Sequence, residues 1–465
     1  MMKPLASEQL FSDPRVQQAR ELMLRAVAEH QLSLTGVRAA DGERKVGYDE
    51  LLKEFGEQRG GNLFFPFLGS GMGSGPLVEL ADGSVKFDMI CGIGVHHFGH
   101  SNAVLVGAGL DAAARDTVMQ GNLQQNVESA ALAKLLVERA RPGSRLGHCF
   151  LTTSGAMANE NALKLAFQKR HGATRILAFE HAFAGRTLAL ASITDKAAYR
   201  VGLPAMVAVD YLPFFDAARP EESTERALAV LRGHIARYPN QHAALWCEFV
   251  QGEGGFHPGS AEFFSALCAE AQGQKIAVVA DEVQTFGRTS RLFAFQHFGL
   301  EKFVDVVTVG KMLQVCATLF TDAMKPGPGL LSQTFTASTS AIVAANAILR
   351  DLLAPDLFGP EGRNQQVHAR FVRRFEAIAR AHPDWLRGPY GIGGMVAFTP
   401  FDGSEEKVKK LLHGLFANGV IAFYNGAKPT RVRFLPPVPV LTDSHIDMVC
   451  DILEATLTQV AAALT

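Results

Sequence analysis

The chain has 465 residues, with 45 Lys and Arg against 46 Asp and Glu and hence a formal net charge of −1. That balance, without a long basic run, argues against nucleic acid or another polyanion as a partner. Hydrophobic residues at 48% and charged residues at 20% indicate a globular chain, and no uninterrupted apolar run is long enough to span a bilayer.

The first residues, with Lys3, Pro4 and Glu8 among them, hold no apolar signal core, so a soluble, cytoplasmic protein is expected. Cys91, Cys149, Cys247, Cys268, Cys316 and Cys450 form no CxxC pair and sit mostly in apolar surroundings, which predicts free, buried thiols in a reducing compartment. Residues 14–30 carry a helical pattern (Val16, Ala19, Leu22, Met23, Ala26) and read as an arm packing on the body or on a partner subunit. The glycine-rich stretch 69–75 fails the register of a dinucleotide-binding loop and is expected to be a flexible turn. Residues 77–88 read as a hairpin turning at Asp82-Gly83. His96, His97 and His100 lack a carboxylate or cysteine at a metal-site spacing, so loop and helix-start histidines are expected, and no metal.

Residues 150–166 read as a strand, a tight turn and a helix. Small residues at such a helix start leave free N–H groups at a positive dipole end, which suits a phosphate. Residues 176–179 are a further buried strand, and 243–255 place Glu248 late in another. From Ser340 onward amphipathic helices (341–353, 363–381, 405–417), short strands (395–398, 420–423) and a last helix from Thr442 suggest a smaller α+β unit.

Residues 276–311 carry the chemistry. The apolar run 276–280 closes on Asp281, and the β-branched run 303–309 is followed by Gly310 and Lys311. Two such runs predict buried parallel strands in an α/β fold, with an acid at one C-terminal end and an amine just past the other. Ligands of open α/β sheets sit outside those ends, so Asp281 and Lys311 should face one crevice. Burying both is costly unless something uses both. Pyridoxal 5'-phosphate does: its aldehyde needs a lysine amine and its ring nitrogen an anionic partner. The bland alternative is a satisfied ion pair in an ordinary core.

The segments around Asp281-Glu282-Val283-Gln284-Thr285, Phe286-Gly287-Arg288-Thr289, residues 292–299 and Gly310-Lys311 resemble the class III aminotransferases, pyridoxal-phosphate enzymes of fold type I. The resemblance implies a large domain with a mostly parallel sheet (89–339) and a small α+β domain from both chain ends (1–88 and 340–465). It implies Lys311 as the Schiff-base and proton-shuttling lysine, Asp281 as the partner of the ring nitrogen and Gln284 as a bond to the ring hydroxyl. Ser154, Gly155 and Ala156 match the phosphate cup, and Phe183 the aromatic face on the ring. Arg186 matches an arginine that meets a distal substrate carboxylate. Glu248 is expected to pair with Arg433 and gate the substrate. Thr334 is expected to reach the cofactor phosphate of a neighbouring subunit, which makes the protein a symmetric homodimer with shared sites. Met157, Ala184, residues 312–317 and residues 336–339 depart from the pattern.

The implied activity is a ping-pong transamination, from an amino acid with an ω-amine and a distal carboxylate to 2-oxoglutarate. An aminomutase or racemase on the same scaffold would need no keto acid. A non-catalytic relative that binds the cofactor, or a plain ligand-binding α/β protein, is the third reading.

Overall fold

The computed structural model describes residues 3–116, 121–354 and 356–463. The expected end segments reach residues 1–2 and 464–465, which lie outside the described residues. The centre is a seven-stranded sheet built from β1 (Leu146–Thr152), β2 (Arg175–Phe179), β3 (Ala208–Leu212), β4 (His242–Cys247), β5 (Ala277–Glu282), β6 (Val306–Val309) and β7 (Cys316–Thr321), in the order β1-β7-β6-β5-β4-β2-β3. Strands β3, β2, β4, β5 and β6 pair in parallel, and β7 runs antiparallel to both β6 and β1. Helices cover both faces, so the central strands read as continuous apolar runs rather than alternating ones. The α/β expectation holds.

Register decides what meets at the C-terminal edge. Asp281 on β5 lies opposite Thr308 on β6, and Glu282 opposite Val309. Lys311 follows two residues beyond β6, at the turn into β7. Helix α1 (Gly155–Lys169) starts just after β1, with Ser154 accepting the Met157 N–H at 3.2 Å as its cap, and packs across β7, β6 and β4. Its apolar face (Ala158, Ala162, Leu163, Leu165, Ala166) is buried. That burial aims the first turn of α1 at the sheet edge holding Asp281 and Lys311.

The N- and C-terminal segments meet in a second sheet. Strand Val420–Ile421 adds in parallel to Val85–Asp88, with Phe87 opposite Val420. Val85–Asp88 forms the expected hairpin with Leu77–Leu80. The run read as one strand, 420–423, divides here: Phe423–Gly426 belongs to an antiparallel sheet with Thr430–Phe434, Val396–Pro400 and Leu386–Tyr390. Helix Arg363–Ala381 closes that sheet with Phe371 and Phe375 against Phe398 and Phe434. Helix Thr339–Leu352 packs on Ala103–Ala113 and Val127–Ala140.

The stretch 69–75 is corrected from flexible turn to edge strand: Gly69–Ser74 pairs antiparallel with Leu77–Leu80 through a bulge. Its glycines serve close approach. A Cβ on Gly73 would stand 2.3 Å from the His100 Cβ and 2.5 Å from the Leu77 carbonyl oxygen. Gly47, inside helix Gly42–Arg59, has nothing within 4 Å of such an atom. Gly73→Ala is therefore expected to destabilise by about 1–3 kcal/mol through overpacking, and Gly47→Ala to stabilise by about 0.5–1 kcal/mol. Urea unfolding of the two variants checks both signs.

Candidate active site

Strand alternation sends Asp281 and Glu282 to opposite faces of β5, and the two carboxylates have different partners. Glu282 accepts the N–H groups of Ala294 at 2.7 Å and Phe295 at 2.8 Å. It fastens the start of the short helix Ala294–His297, and burial pushes its pKa up to about 8. Asp281 faces the crevice. It accepts the Asn159 amide at 2.6 Å on one oxygen and the Val283 N–H at 3.1 Å on the other. Asn159 also donates to the Ala184 carbonyl and accepts the Thr308 hydroxyl, both at 2.7 Å, so its amide has a single orientation. Burial raises Asp281 to about 6, and these hydrogen bonds and the Lys311 charge only partly oppose the shift. The carboxylate is held by neutral donors and makes no ion pair among the described residues. A protonated heterocycle would supply the missing cation.

Lys311 holds a left-handed backbone, φ 50°, a conformation that a side-chain-bearing residue adopts only where its surroundings enforce it. Burial lowers its amine to about 8, with Glu253 and Asp281 pulling it up and Arg433 and Arg288 pushing it down. About half the amine is then neutral at pH 8, whereas almost none of an ordinary lysine is. That is the form needed to condense with an aldehyde.

The residues expected to form the phosphate cup are the cap Ser154 and, in the first turn of α1, Gly155 and Ala156, whose N–H groups have no intrahelical acceptor. A Cβ on Gly155 would meet Val283 Cγ1 at 2.7 Å, so the turn sits directly on the segment after Asp281. Gln333 donates nothing from its buried Nε2, while its Oε1 accepts the Thr152 hydroxyl at 2.7 Å. Thr334 is exposed on its own chain and is not brought to this cup. Phe183 is half-buried, with its N–H held by Glu248 at 2.9 Å. Arg186 is exposed, its guanidinium 3.8 Å from the Tyr199 ring centroid.

The expected pairing of Glu248 with Arg433 is corrected. Glu248 turns back to accept the N–H groups of Phe183 and Gly252, the latter at 3.0 Å, and burial beside Asp281 pushes it up to about 8. The turn after Gln251 instead presents Glu253, whose carboxylate meets Arg433 Nη1 at 2.6 Å. Burial opposes ionisation of Glu253, but the charges of Arg433 and Lys311 outweigh it and hold the acid below its ordinary value. Gln284 Oε1 accepts from the same Nη1 at 3.4 Å. Arg433 is fully buried, and its Nε and Nη2 have no partner among the described residues.

Asn159 and Thr308 were the residues sequence reasoning missed. Thr308 is polar inside an apolar strand, and that contrast was an available signal, whereas Asn159 stands beside Glu160 and Asn161 in a helix with many polar residues and gave none. These groups fit pyridoxal phosphate: a carboxylate short of a cation, an amine part neutral, and free N–H groups at a helix start.

A parallel-rich sheet that gathers this set at its C-terminal edge defines a pyridoxal-phosphate enzyme of fold type I. The sequence profile of Aminotransferase class-III matches residues 66–457, and the chain belongs to that family. It is thus a transaminase-class enzyme with pyridoxal 5'-phosphate as cofactor. It is 30% identical over 406 residues to the acetylornithine aminotransferase of Methanocaldococcus jannaschii, covering 83% of this chain and 93% of that one. It is 30% identical over 389 residues to the Bacillus subtilis acetylornithine aminotransferase, covering 82% and 93%. The solved lysine aminotransferase of M. tuberculosis superimposes with a TM-score of 0.77 at 25% identity, over 85% of this chain and 96% of that one. No helix among the described residues is long and apolar enough to cross a membrane.

The raised acids set a pH dependence. Glu248 and Glu282 have folded values of about 8 against an ordinary 4.5. Between those values the folded state holds protons that the unfolded chain has lost. Stability from this source is therefore full below about pH 4.5 and falls as pH rises through about 8, by at most about 1.4 kcal/mol per pH unit per group. Buried histidines such as His97 and His257, whose values are lowered, contribute the opposite trend below about pH 6.5, so the difference between parent and variant isolates one acid. In the cofactor-free protein, Glu282→Gln is expected to be about 1–3 kcal/mol less stable than the parent at pH 5, from an imperfect match to two N–H donors, and the urea-midpoint difference is expected to shrink or reverse by pH 8.

Proposed function

We propose that the protein moves the amino group of an amino acid bearing an ω-amine and a distal carboxylate to 2-oxoglutarate, by a ping-pong mechanism. The observation carrying this reading is Arg433: a buried guanidinium with two nitrogens, Nε and Nη2, unpartnered among the described residues, and the third tied to the Glu253 carboxylate. A guanidinium offering a free donor edge is suited to a carboxylate in bidentate geometry. The acetylornithine and lysine aminotransferases among its relatives support an amine far from a carboxylate.

When bound, pyridoxal phosphate supplies an aldehyde to take up the amino group and a ring to draw electrons from the adjacent carbon. Asp281, fixed by Asn159, would supply the negative charge that holds the protonated ring nitrogen. Lys311 would hold the cofactor and serve as the proton carrier at the reacting carbon, for which an amine near 8 is well matched. Glu253 covers Arg433 while the ω-amine donor reacts. It swings away when 2-oxoglutarate enters, and Arg433 then takes the α-carboxylate. Arg186 receives the distal carboxylate, and Gln284 contacts the ring hydroxyl. Glu248 holds Phe183 against the ring through its backbone. Thr334 reaches the phosphate of a second copy, so the working unit is a homodimer.

The test is a two-stage half-reaction. Lysine, ornithine, acetylornithine and 4-aminobutyrate are offered singly to the loaded enzyme, the cofactor spectrum is followed, and 2-oxoglutarate is then added. The expected result is a spectral change with at least one donor, reversed by 2-oxoglutarate. Product formation without any keto acid would replace this reading with an isomerase. Arg433→Ala is expected to lower kcat/KM for 2-oxoglutarate by about 10–100-fold. Glu253→Ala, which leaves Arg433 permanently open, is expected to lower KM for 2-oxoglutarate and slow the ω-amine stage. Steady-state kinetics with each substrate varied separates the two.

A further inference from the structure

Arg186 makes no ion pair among the described residues. Its guanidinium carbon lies 3.8 Å from the centroid of Tyr199 and 6.0 Å from that of Phe183. Lys196 Nζ lies 4.7 Å from the same Tyr199 centroid. The Tyr199 ring also meets Phe183 edge-on, at 6.4 Å and 85°. One tyrosine thus gathers two cations and touches the ring expected to cover the cofactor.

The segment carrying Tyr199 is strapped to the segment carrying Phe183. Asp195 accepts the His181 N–H on its side chain at 2.8 Å and donates its own N–H to the Ala182 carbonyl at 2.8 Å. Tyr199 closes the short turn Ala197–Tyr199, with its N–H on the Lys196 carbonyl. A cavity lined by Phe183, Asp195, Lys196 and Glu253 runs along this strap, so Lys196 borders space that reaches the carboxylate paired with Arg433, and Arg186 stands next to it through Tyr199.

A guanidinium can be held by an acid or by an aromatic face. An acid neutralises it and occupies its N–H fork, whereas an aromatic ring engages the flat face and leaves charge and fork available. We propose that Tyr199 is a positioning residue: it holds Arg186, with Lys196 beside it, as a receptor for the distal carboxylate of a dicarboxylic keto acid. The proposal rests on the reading of Arg186 given above and adds what fixes that arginine in place. It also sets the substrate class, since a monocarboxylic keto acid has no group for the receptor.

The test uses the loaded enzyme with 2-oxoglutarate and pyruvate as alternative acceptors, the second lacking the distal carboxylate. Tyr199→Leu is expected to raise KM for 2-oxoglutarate about 2- to 30-fold, with a clearly smaller change in KM for pyruvate. Tyr199→Phe, which keeps the ring, is expected to stay within about twofold of the parent. Phenylalanine carrying one, two or three ring fluorines at position 199 weakens the ring's attraction for cations at nearly constant shape, so KM for 2-oxoglutarate should climb stepwise. This series decides the matter even if the leucine variant folds poorly. A flat series, or an equal change for pyruvate, overturns the proposal. Arg186→Ala separates the two layers. If it leaves the preference for 2-oxoglutarate intact, the distal-carboxylate reading itself fails. If it abolishes the preference while the fluorine series stays flat, only the role of Tyr199 fails.

Discussion

Asp281 is a carboxylate buried without a cation. Its oxygens are met by an amide and a backbone N–H, which orient the group but cannot match the stabilisation of an opposite charge. Burial therefore moves its proton affinity upward, and the fold carries that cost as a standing demand for a positively charged ligand. The rest of the site is arranged around this demand. Strand pairing sets Thr308 level with Asp281, Thr308 fixes Asn159, and Asn159 fixes the carboxylate. Three elements distant in sequence thus converge on one oxygen pair.

Lys311 and Arg433 complete the charge pattern. Glu253 touches both electrostatically: it pulls the Lys311 amine up and is itself held ionised by Arg433 and Lys311. A displacement of Glu253 would change two things together, opening the Arg433 fork and removing a stabilising charge from the Lys311 ammonium. In the proposed cycle, substrate exchange and the proton affinity of the Lys311 amine would be coupled through one side chain. Glu248, five residues earlier, performs a different task. It is bonded to two backbone N–H groups and ties the Phe183 segment to the turn that presents Glu253.

Much of this was legible in the sequence. The pair of β-branched runs ending at Asp281 and Lys311 gave the parallel strands and their shared edge, because buried parallel strands have few other compositions. Ser154 before a small-residue helix start gave the helix cap. What was not legible depends on pairing across the chain. Two glutamates, Glu248 and Glu253, flank the same glycine turn, and only the path of that turn decides which meets Arg433. The stretch 69–75 looked like punctuation, yet its glycines make room for His100 and the neighbouring strand. Residues 420–423 looked like one strand, but the chain leaves one sheet and enters another within them. A boundary at residue 340 cuts into helix Thr339–Leu352, because composition changes there while packing does not.

The account stands on a covalent link between the Lys311 amine and the cofactor aldehyde above Asp281. Reduction of the loaded enzyme with borohydride, followed by proteolysis and mass spectrometry, reads it directly. The expected result is a stable pyridoxyl-phosphate mass on the peptide containing Lys311 and on no other lysine. An unmodified Lys311 peptide from fully loaded enzyme, or the same mass on a different lysine, would contradict it.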